Sequence, residues 1–143
     1  AQDVLLHKGE GGADLRQLCQ SELFPYLGRS ADYSSIDGPS VTLASRTAIN
    51  IALVIHELAT NAAKYGALSS INGKTSIRWS LEGLAEQQRL LLSWTERDGP
   101  AVSAPTRRGF GTELIERSLG RETRLAFEPT GLQAHFTISL AGG

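Results

Sequence analysis

Apolar residues recur at helical spacing through the middle of the chain, where an almost wholly apolar run covers residues 49–55. At 3.6 residues per turn, four of them fall within roughly 60° of one another on one stripe of a helix: Ile51, Ile55, Leu58 and Ala62. The pattern predicts a helix that buries this stripe against a large surface. Ser45 or Thr47 is a suitable cap for its start, and Gly66 is a suitable end.

Apolar and polar residues alternate along several segments of the second half of the chain. Residues 76–81 and 89–95 each place every second, apolar side chain on one side, which predicts two neighbouring antiparallel strands. Residues 125–127 open a last pair of strands, and residues 132–140 show the clearest alternation of the chain. One face of the predicted sheet is therefore buried, and the other faces water.

The first half of the chain predicts a second helix and two short strands. The helix covers residues 13–26, and four of its side chains face one way: Leu15, Leu18, Leu23 and Phe24. Asp14 lies in its first turn, where negative charge is favoured. Residues 32–36 and 41–43 are predicted as strands around a turn at residues 37–40, which is a cluster of turn-forming residues.

Together these elements predict an α+β fold, a two-layer sandwich in which a mostly antiparallel mixed sheet is covered on one face by about three helices. The third helix is predicted over residues 112–119. A chain of 143 residues suffices for one domain with a sizeable core. We assign residues 13–141 to this domain and residues 1–12 to a flexible segment from an upstream linker. Because the sequence lacks an initiator Met, we expect either a processed chain or a fragment of a longer protein.

The charge balance is nearly neutral, because 14 Lys and Arg face 15 Asp and Glu, a net charge of −1. This argues against nucleic acid or an anionic membrane surface as a partner. No apolar run reaches the ~18 residues of a membrane span, and the start lacks the parts of a signal peptide, so we expect a cytoplasmic domain without membrane contact. The single cysteine, Cys19, excludes an internal disulfide and is predicted to pack in the core.

A second stripe of the central helix lies beside the apolar one and carries Glu57, Asn61, Lys64 and Leu68. This edge suits a metal-bound nucleotide. Mg²⁺ keeps most of its waters and binds substrate phosphates, so one Asn oxygen is a sufficient protein ligand, and Lys64 can meet a phosphate as a point charge. The alternative is the solvated face of an amphipathic helix, and this helix alone does not decide between the two.

The second predicted strand ends in Trp94-Thr95-Glu96, and its period of two puts Trp94 and Glu96 on the apolar face. A buried carboxylate needs a donor, and the exocyclic amine of adenine is one such donor. The alternatives are that Glu96 turns to solvent or pairs with an arginine. Asp98, followed by Gly99, lies in a predicted turn and is a second candidate for base recognition.

A glycine-rich corner at residues 107–112 precedes the third predicted helix. Its backbone N–H groups and the positive end of the helix dipole can hold phosphate, although many such corners are only tight turns. His56 and Glu57 begin a zinc-protease pattern, but Thr60 stands where the second His is needed, so we exclude that site. His56 points roughly 100° around the helix from Glu57, which favours a structural or orienting role. We place the remaining two histidines, His7 and His135, at the surface.

Taken in order, residues 56–68, 94–100 and 108–112 resemble the motifs of the catalytic ATP-binding domain of HWE-type sensor histidine kinases. The His and the Trp-x-Glu for which that family is named are both present. The resemblance covers residues 13–140. It implies the Bergerat ATP-binding sandwich shared with gyrase and the MutL repair protein, with ATP and Mg²⁺ as cofactors.

The resemblance also implies a role for each matching residue. Asn61 matches the magnesium ligand, Glu57 the residue that orients or deprotonates the incoming imidazole, and Lys64 a phosphate contact. Glu96 matches the adenine-binding Asp of other histidine kinases, and Asp98, which stands where many relatives have Gly, is its competitor. The implied catalytic set is Glu57, His56 and Lys64. The implied ATP contacts are Asn61, Lys64, Tyr65, Glu96, Asp98, Gly99, Arg108, Gly109, Phe110, Gly111 and Thr112.

The family's acceptor histidine lies on an upstream helix, and the sequence around His7 does not resemble that helix. The resemblance therefore implies that this domain positions Mg-ATP for γ-phosphoryl transfer to a histidine on an upstream phosphoacceptor helix. A sensor domain of the same protein and a response regulator are the other implied partners. Two alternatives are a degenerate interaction module without nucleotide, against which the intact motifs argue, and an anti-sigma-type serine kinase, against which Trp-x-Glu argues.

Overall fold

The structure is a computed structural model that describes residues 12–26, 35–65, 73–84, 87–98, 123–128 and 131–140. The third predicted helix and the glycine-rich corner lie outside these residues. The same is true of residues 101–107, a segment that by family resemblance corresponds to a short ATP lid. The first half contains β1 (Ala13–Asp14), α1 (Leu15–Leu23), a 3₁₀ turn (Phe24–Tyr26), β2 (Ser35–Asp37), β3 (Thr42–Leu43) and α2 (Ser45–Tyr65). The second half contains β4 (Lys74–Glu82), β5 (Arg89–Arg97), β6 (Thr123–Glu128) and β7 (Gly131–Ser139).

The larger sheet has the strand order β2-β4-β5-β7-β6. β2 runs parallel to β4, and the other three pairs are antiparallel. β1 and β3 form a separate two-stranded antiparallel sheet. The register aligns apolar residues in rows across the sheet, for example Ile77 opposite Trp94 and Trp94 opposite Ala134. The predicted mostly antiparallel mixed sheet with one buried face is confirmed.

The apolar face of the sheet shares one core with α1 and α2. All four residues of the predicted stripe on α2 are at most 1% exposed. Cys19 is buried in the same core, and this burial raises the pKa of its thiol to about 12. Among the described residues, no helix combines the length and the apolar character that crossing a bilayer requires.

The first helix is shorter than predicted. Residues 13 and 14 form a strand, and the Asp14 side chain caps the helix by accepting a hydrogen bond from the backbone N–H of Gln17 at 3.0 Å. The α-helix ends at Leu23, because Pro25 has no N–H with which to continue its hydrogen bonds. Phe24 therefore lies in the 3₁₀ turn and is 53% exposed, so its predicted place on the buried face is wrong.

The strands predicted over residues 32–36 and 41–43 do not flank a shared turn. β2 begins at Ser35 and joins the large sheet, whereas β3 pairs with β1. The segment between them packs on Trp79, whose indole N–H donates to the carbonyl of Pro39 at 2.7 Å. This long-range contact separates the two strands into different sheets.

The start of α2 also differs from the prediction. The helix begins at Ser45, and the backbone N–H of Ala48 donates to the carbonyl of Ala44 at 2.9 Å. Ser45 and Thr47 are therefore both inside the helix, and neither is the residue that precedes it. Its last residue is Tyr65, next to the predicted end.

Candidate functional site

The polar stripe of α2 lies at the rim of the core. Glu57 and Asn61 are half-buried, and Lys64 is exposed. Lys64 belongs to the last turn, where the helix dipole favours a cation. The neighbouring Leu58 and Ala62 are fully buried, so a carboxylate and an amide are held where the apolar face meets solvent. This position can present oxygen and nitrogen atoms to a ligand that lies against the helix.

Glu96 lies in the core at only 2% exposed. It shares the apolar face of β5 with Trp94, and the indole N–H of Trp94 donates to Oε2 of Glu96 at 2.8 Å. Of the two alternatives raised by the sequence, a solvent-facing Glu96 is therefore excluded, because the carboxylate is buried and accepts a hydrogen bond from an indole. The indole takes one of the about four acceptor sites of the carboxylate.

Asp98 lies in a different environment. Its side chain is 60% exposed, and its Oδ2 is 3.4 Å from Nζ of Lys74. The backbone of Asp98 has φ 59°, in the left-handed region that favours glycine. This conformation agrees with the resemblance, in which many relatives have Gly here. Of the two carboxylates that the sequence could not separate, Glu96 is the one in the core.

Thr75 is a buried polar residue that the sequence analysis missed. It lies directly opposite Glu96 in the ladder between β4 and β5 and is 0% exposed. Among the residues that the structure describes, its hydroxyl Oγ1 has no hydrogen-bond partner. The period of two along the strand could have identified it, because Thr75 is two residues before Ile77 and therefore lies on the same apolar face. It was missed because β4 begins earlier than predicted.

Gly131 lies on the other side of Glu96 and opens β7. Its φ is 143°, and a Cβ at this position would lie 2.1 Å from the backbone oxygen of Glu96. Only glycine permits this close approach of the two backbones. The end of β5 that carries Glu96 is therefore packed between β4 and the first residue of β7.

His56 faces α1. Its Nδ1 lies 3.3 Å from Oε1 of Glu22, and its ring meets that of Tyr26 edge to face, with 6.1 Å between the ring centroids. These contacts connect the motif helix to the end of α1. They suit the structural or orienting role that the sequence favoured for His56.

The other predicted site residues lie outside the described part of the chain. These are Gly99, Arg108, Gly109, Phe110, Gly111 and Thr112, together with the side chain of Tyr65. No group of three or more His, Cys, Asp or Glu side chains is placed to hold a metal ion among the described residues. A magnesium ion held by Asn61 and substrate phosphates does not need such a cluster.

Comparison with known proteins agrees with the motifs. No family model matches the chain. A blue-light-activated histidine kinase of Brucella anthropi is 36% identical over 136 residues, which are 92% of this chain and 28% of that protein. Its counterpart in Brucella ovis is 36% identical over 124 residues, 87% of this chain and 25% of that protein. This chain is homologous to histidine kinases. The resemblance predicted from the sequence is confirmed, and the chain spans about a quarter of the length of these curated relatives.

Solved structures of histidine kinases share the fold. The histidine kinase domain of a blue-light activated histidine kinase from Erythrobacter litoralis superposes with a TM-score of 0.62 at 18% identity, covering 92% of this chain and 67% of that one. The catalytic domain of the histidine kinase ThkA gives 0.57 at 14% identity, covering 90% of this chain and 94% of that domain. The predicted α+β sandwich is thus the fold of histidine kinase catalytic domains.

Proposed function

We propose that this chain is the ATP-binding catalytic domain of a two-component sensor histidine kinase. In this role it positions Mg-ATP for transfer of the γ-phosphoryl group to a histidine on an upstream phosphoacceptor helix of the same protein. The observation that supports the proposal best is the buried carboxylate of Glu96 on the helix-covered face of the sheet, in a chain homologous to histidine kinases. Use of ATP follows from that homology.

Glu96 is the base-recognition residue in this proposal. An ionised carboxylate only accepts hydrogen bonds, and the exocyclic amine of adenine donates them. Guanine has a carbonyl oxygen at the same place, and its lone pairs would face those of the carboxylate. In a site that excludes water this mismatch is costly, so Glu96 selects adenine over guanine. Trp94 holds the carboxylate from one side through one of its acceptor sites.

The polar stripe of α2 serves the phosphate end of the nucleotide. Asn61 would supply the protein oxygen to Mg²⁺, and the donor set fits, because magnesium takes most of its ligands from water and phosphates. The ion neutralises phosphate charge when bound. Lys64 contacts a phosphate, and Glu57, one turn before Asn61, orients or deprotonates the incoming imidazole. His56 orients the helix through Glu22 and Tyr26.

The remaining contacts are proposed from the family resemblance. Gly109 and Gly111, with Arg108, Phe110 and Thr112, bind phosphate through backbone N–H groups, and Tyr65 and Gly99 line the nucleotide site. The acceptor helix and the sensor domain belong to the rest of the protein, and a response regulator receives the phosphoryl group. The matched segment is 28% of one relative and 25% of the other, which leaves room for such domains.

Calorimetric titration with a non-hydrolysable ATP analogue and Mg²⁺ tests the nucleotide site. We expect micromolar binding, about 7–8 kcal/mol, which Asn61→Ala weakens at least about tenfold because the metal loses its protein ligand. Asn50→Ala is the matched control, since Asn50 is a second half-buried asparagine of α2 and lies outside the motif. The control should bind within about twofold of the wild type.

Two results would contradict the proposal. Equal weakening in both variants would show a general effect on the helix and not the loss of a metal ligand. A folded wild-type chain that gives no heat with nucleotide would favour the degenerate interaction module.

A further inference from the structure

We infer that Thr75 is a second base-binding residue, whose hydroxyl donates a hydrogen bond to ring nitrogen N1 of adenine while Glu96 accepts one from the neighbouring exocyclic amine. The inference rests on the proposed ATP-binding function and adds a contact to it. Thr75 lies outside the three motifs that carry the family resemblance. It is suggested by the position and the unsatisfied hydroxyl of this side chain alone.

The first observation is that the Thr75 hydroxyl is completely buried and has no hydrogen-bond partner among the described residues. A buried hydroxyl without a partner costs free energy. A valine would fill the same space on this strand without that cost. When the hydroxyl donates a hydrogen bond to a ligand, that bond offsets the free energy that the unsatisfied group costs in the free protein.

The second observation is the register of the two strands. Thr75 and Glu96 are directly opposed, so their Cβ atoms lie about 4.5–5.5 Å apart on the same face of the sheet. Their neighbours on that face, Ile77 and Trp94, are apolar and fully buried. Two polar groups side by side in apolar surroundings are typical of a small-molecule site.

The third observation is chemical complementarity. N1 of adenine is an acceptor, and the exocyclic amine on the adjacent carbon is a donor. A hydroxyl donor beside a carboxylate acceptor presents the matching pair of groups. Because a hydroxyl also accepts, Thr75 adds affinity for adenine, whereas Glu96 supplies the selection against guanine.

The test compares ADP with 1-deaza-ADP, which has a C–H in place of N1, by calorimetric titration of the full chain. Thr75→Val keeps the shape and removes the hydroxyl. We expect it to weaken ADP about five- to tenfold and to leave the already weaker binding of 1-deaza-ADP unchanged. Thr75→Ser, which keeps the hydroxyl, should stay close to the wild type.

The matched control is Thr95→Val, because Thr95 is a half-buried threonine on the opposite face of the neighbouring strand. It should bind ADP as the wild type does. In the absence of nucleotide, the thermal midpoint of Thr75→Val should equal or exceed that of the wild type, because the variant loses an unsatisfied buried group. A higher midpoint together with weaker ADP binding is a combination that a purely structural role does not produce.

The possible failures can be told apart. If Thr75→Val binds ADP as tightly as the wild type, or weakens both nucleotides equally, the N1 contact is wrong and the ATP site stands. If the wild type binds neither nucleotide, the proposed function fails as well. The wild type alone gives a further check that needs no variant, because equal affinity for ADP and 1-deaza-ADP overturns the inference.

Discussion

Trp94 and Glu96 act as a pair because of the geometry of a single strand. Residues two apart on a strand share a face, so the indole N–H of Trp94 reaches the Glu96 carboxylate, and both side chains are buried. Trp-x-Glu thus combines an acceptor, a first donor and an apolar wall in three residues. The sequence predicted the face on which Glu96 lies, but not its donor, because the direction of the indole depends on how the whole face packs.

Asp98 lies two residues after Glu96, but its side chain is in a different environment. Period-two reasoning would put both on one face, but the left-handed backbone at Asp98 ends the extended run and turns its side chain toward Lys74 and solvent. Aspartate is among the few non-glycine residues that tolerate this conformation. The backbone angle, which composition does not reveal, therefore separates the two carboxylates.

Substitution of Asp98 by glycine and by alanine should separate backbone strain from charge. Both variants lose the Lys74 pair, which contributes little at this exposure. Alanine at φ 59° costs about 1–2 kcal/mol, and the greater freedom of glycine in the unfolded chain offsets part of the difference. We expect Asp98→Ala to be less stable than Asp98→Gly by about 0.5–1 kcal/mol in urea unfolding. The reverse order would show that Asp98 does not hold this conformation in solution.

At the scale of elements, long periodic patterns predicted the structure well and short ones did not. α2 has 21 residues and one apolar stripe, so its position and its buried face were both predictable. In the N-terminal segment, local signals that predict different structures lie within a few residues of one another. Asp14 is a cap and not a first-turn residue, and Pro25 stops α1 soon after Leu23.

β2 and β3 show why a turn signal alone is insufficient. The residues between them are good turn formers, yet each strand pairs elsewhere because Trp79 attaches this segment to β4. A Cβ at Gly38 would lie 2.2 Å from the Trp79 ring, and the Arg16 guanidinium stacks over that ring, 5.6 Å from its centroid. Arg16 also donates to the carbonyls of Ile36 and Gly38. These contacts join residues far apart in sequence, which local patterns cannot reveal.

The two faces of α2 give a matched test of its packing. Ile55 is fully buried, whereas Ile49, in the same helix, is 48% exposed. Ile55→Ala should lower the free energy of unfolding by about 2–5 kcal/mol, because it leaves a cavity against the sheet. Ile49→Ala should change it by no more than about 0.5 kcal/mol. Chemical denaturation of both variants measures the difference, and similar losses would mean that the helix is rotated from the position described.

For the whole molecule, periodicity predicted the layers but not the order of the strands. Two adjacent alternating segments gave the β4–β5 pair, and the last two segments gave β6–β7. The insertion of β7 between β5 and β6, and the parallel β2 at the edge, depend on contacts that no local pattern contains. The candidate site divides in the same way. Glu96 and the polar stripe of α2 were predictable, whereas Thr75 emerged only when the register placed it opposite Glu96.

Cys19 offers a measure of how the whole fold responds to nucleotide, because it is the single cysteine and lies in the common core. Burial raises the pKa of its thiol to about 12, so the folded chain contains almost no thiolate at pH 8, whereas an unfolded thiol with a pKa near 8.5 is reactive. Labelling by a disulfide reagent should therefore report opening of the core. Ile55→Ala should label faster in proportion to its loss of stability, and Ile49→Ala should label as the wild type does.

Because a ligand stabilises the folded state by mass action, Mg-ADP at about 100 times its dissociation constant should slow this labelling about 100-fold. The same dose should slow labelling of Asn61→Ala by no more than about tenfold, because this variant binds nucleotide at least about tenfold more weakly. Slowing in Ile55→Ala as well as in the wild type would show that nucleotide binding and core packing act on one cooperative unit. Rapid labelling that neither Ile55→Ala nor nucleotide changes would instead mean that α1 opens by itself, independently of the sheet and of α2.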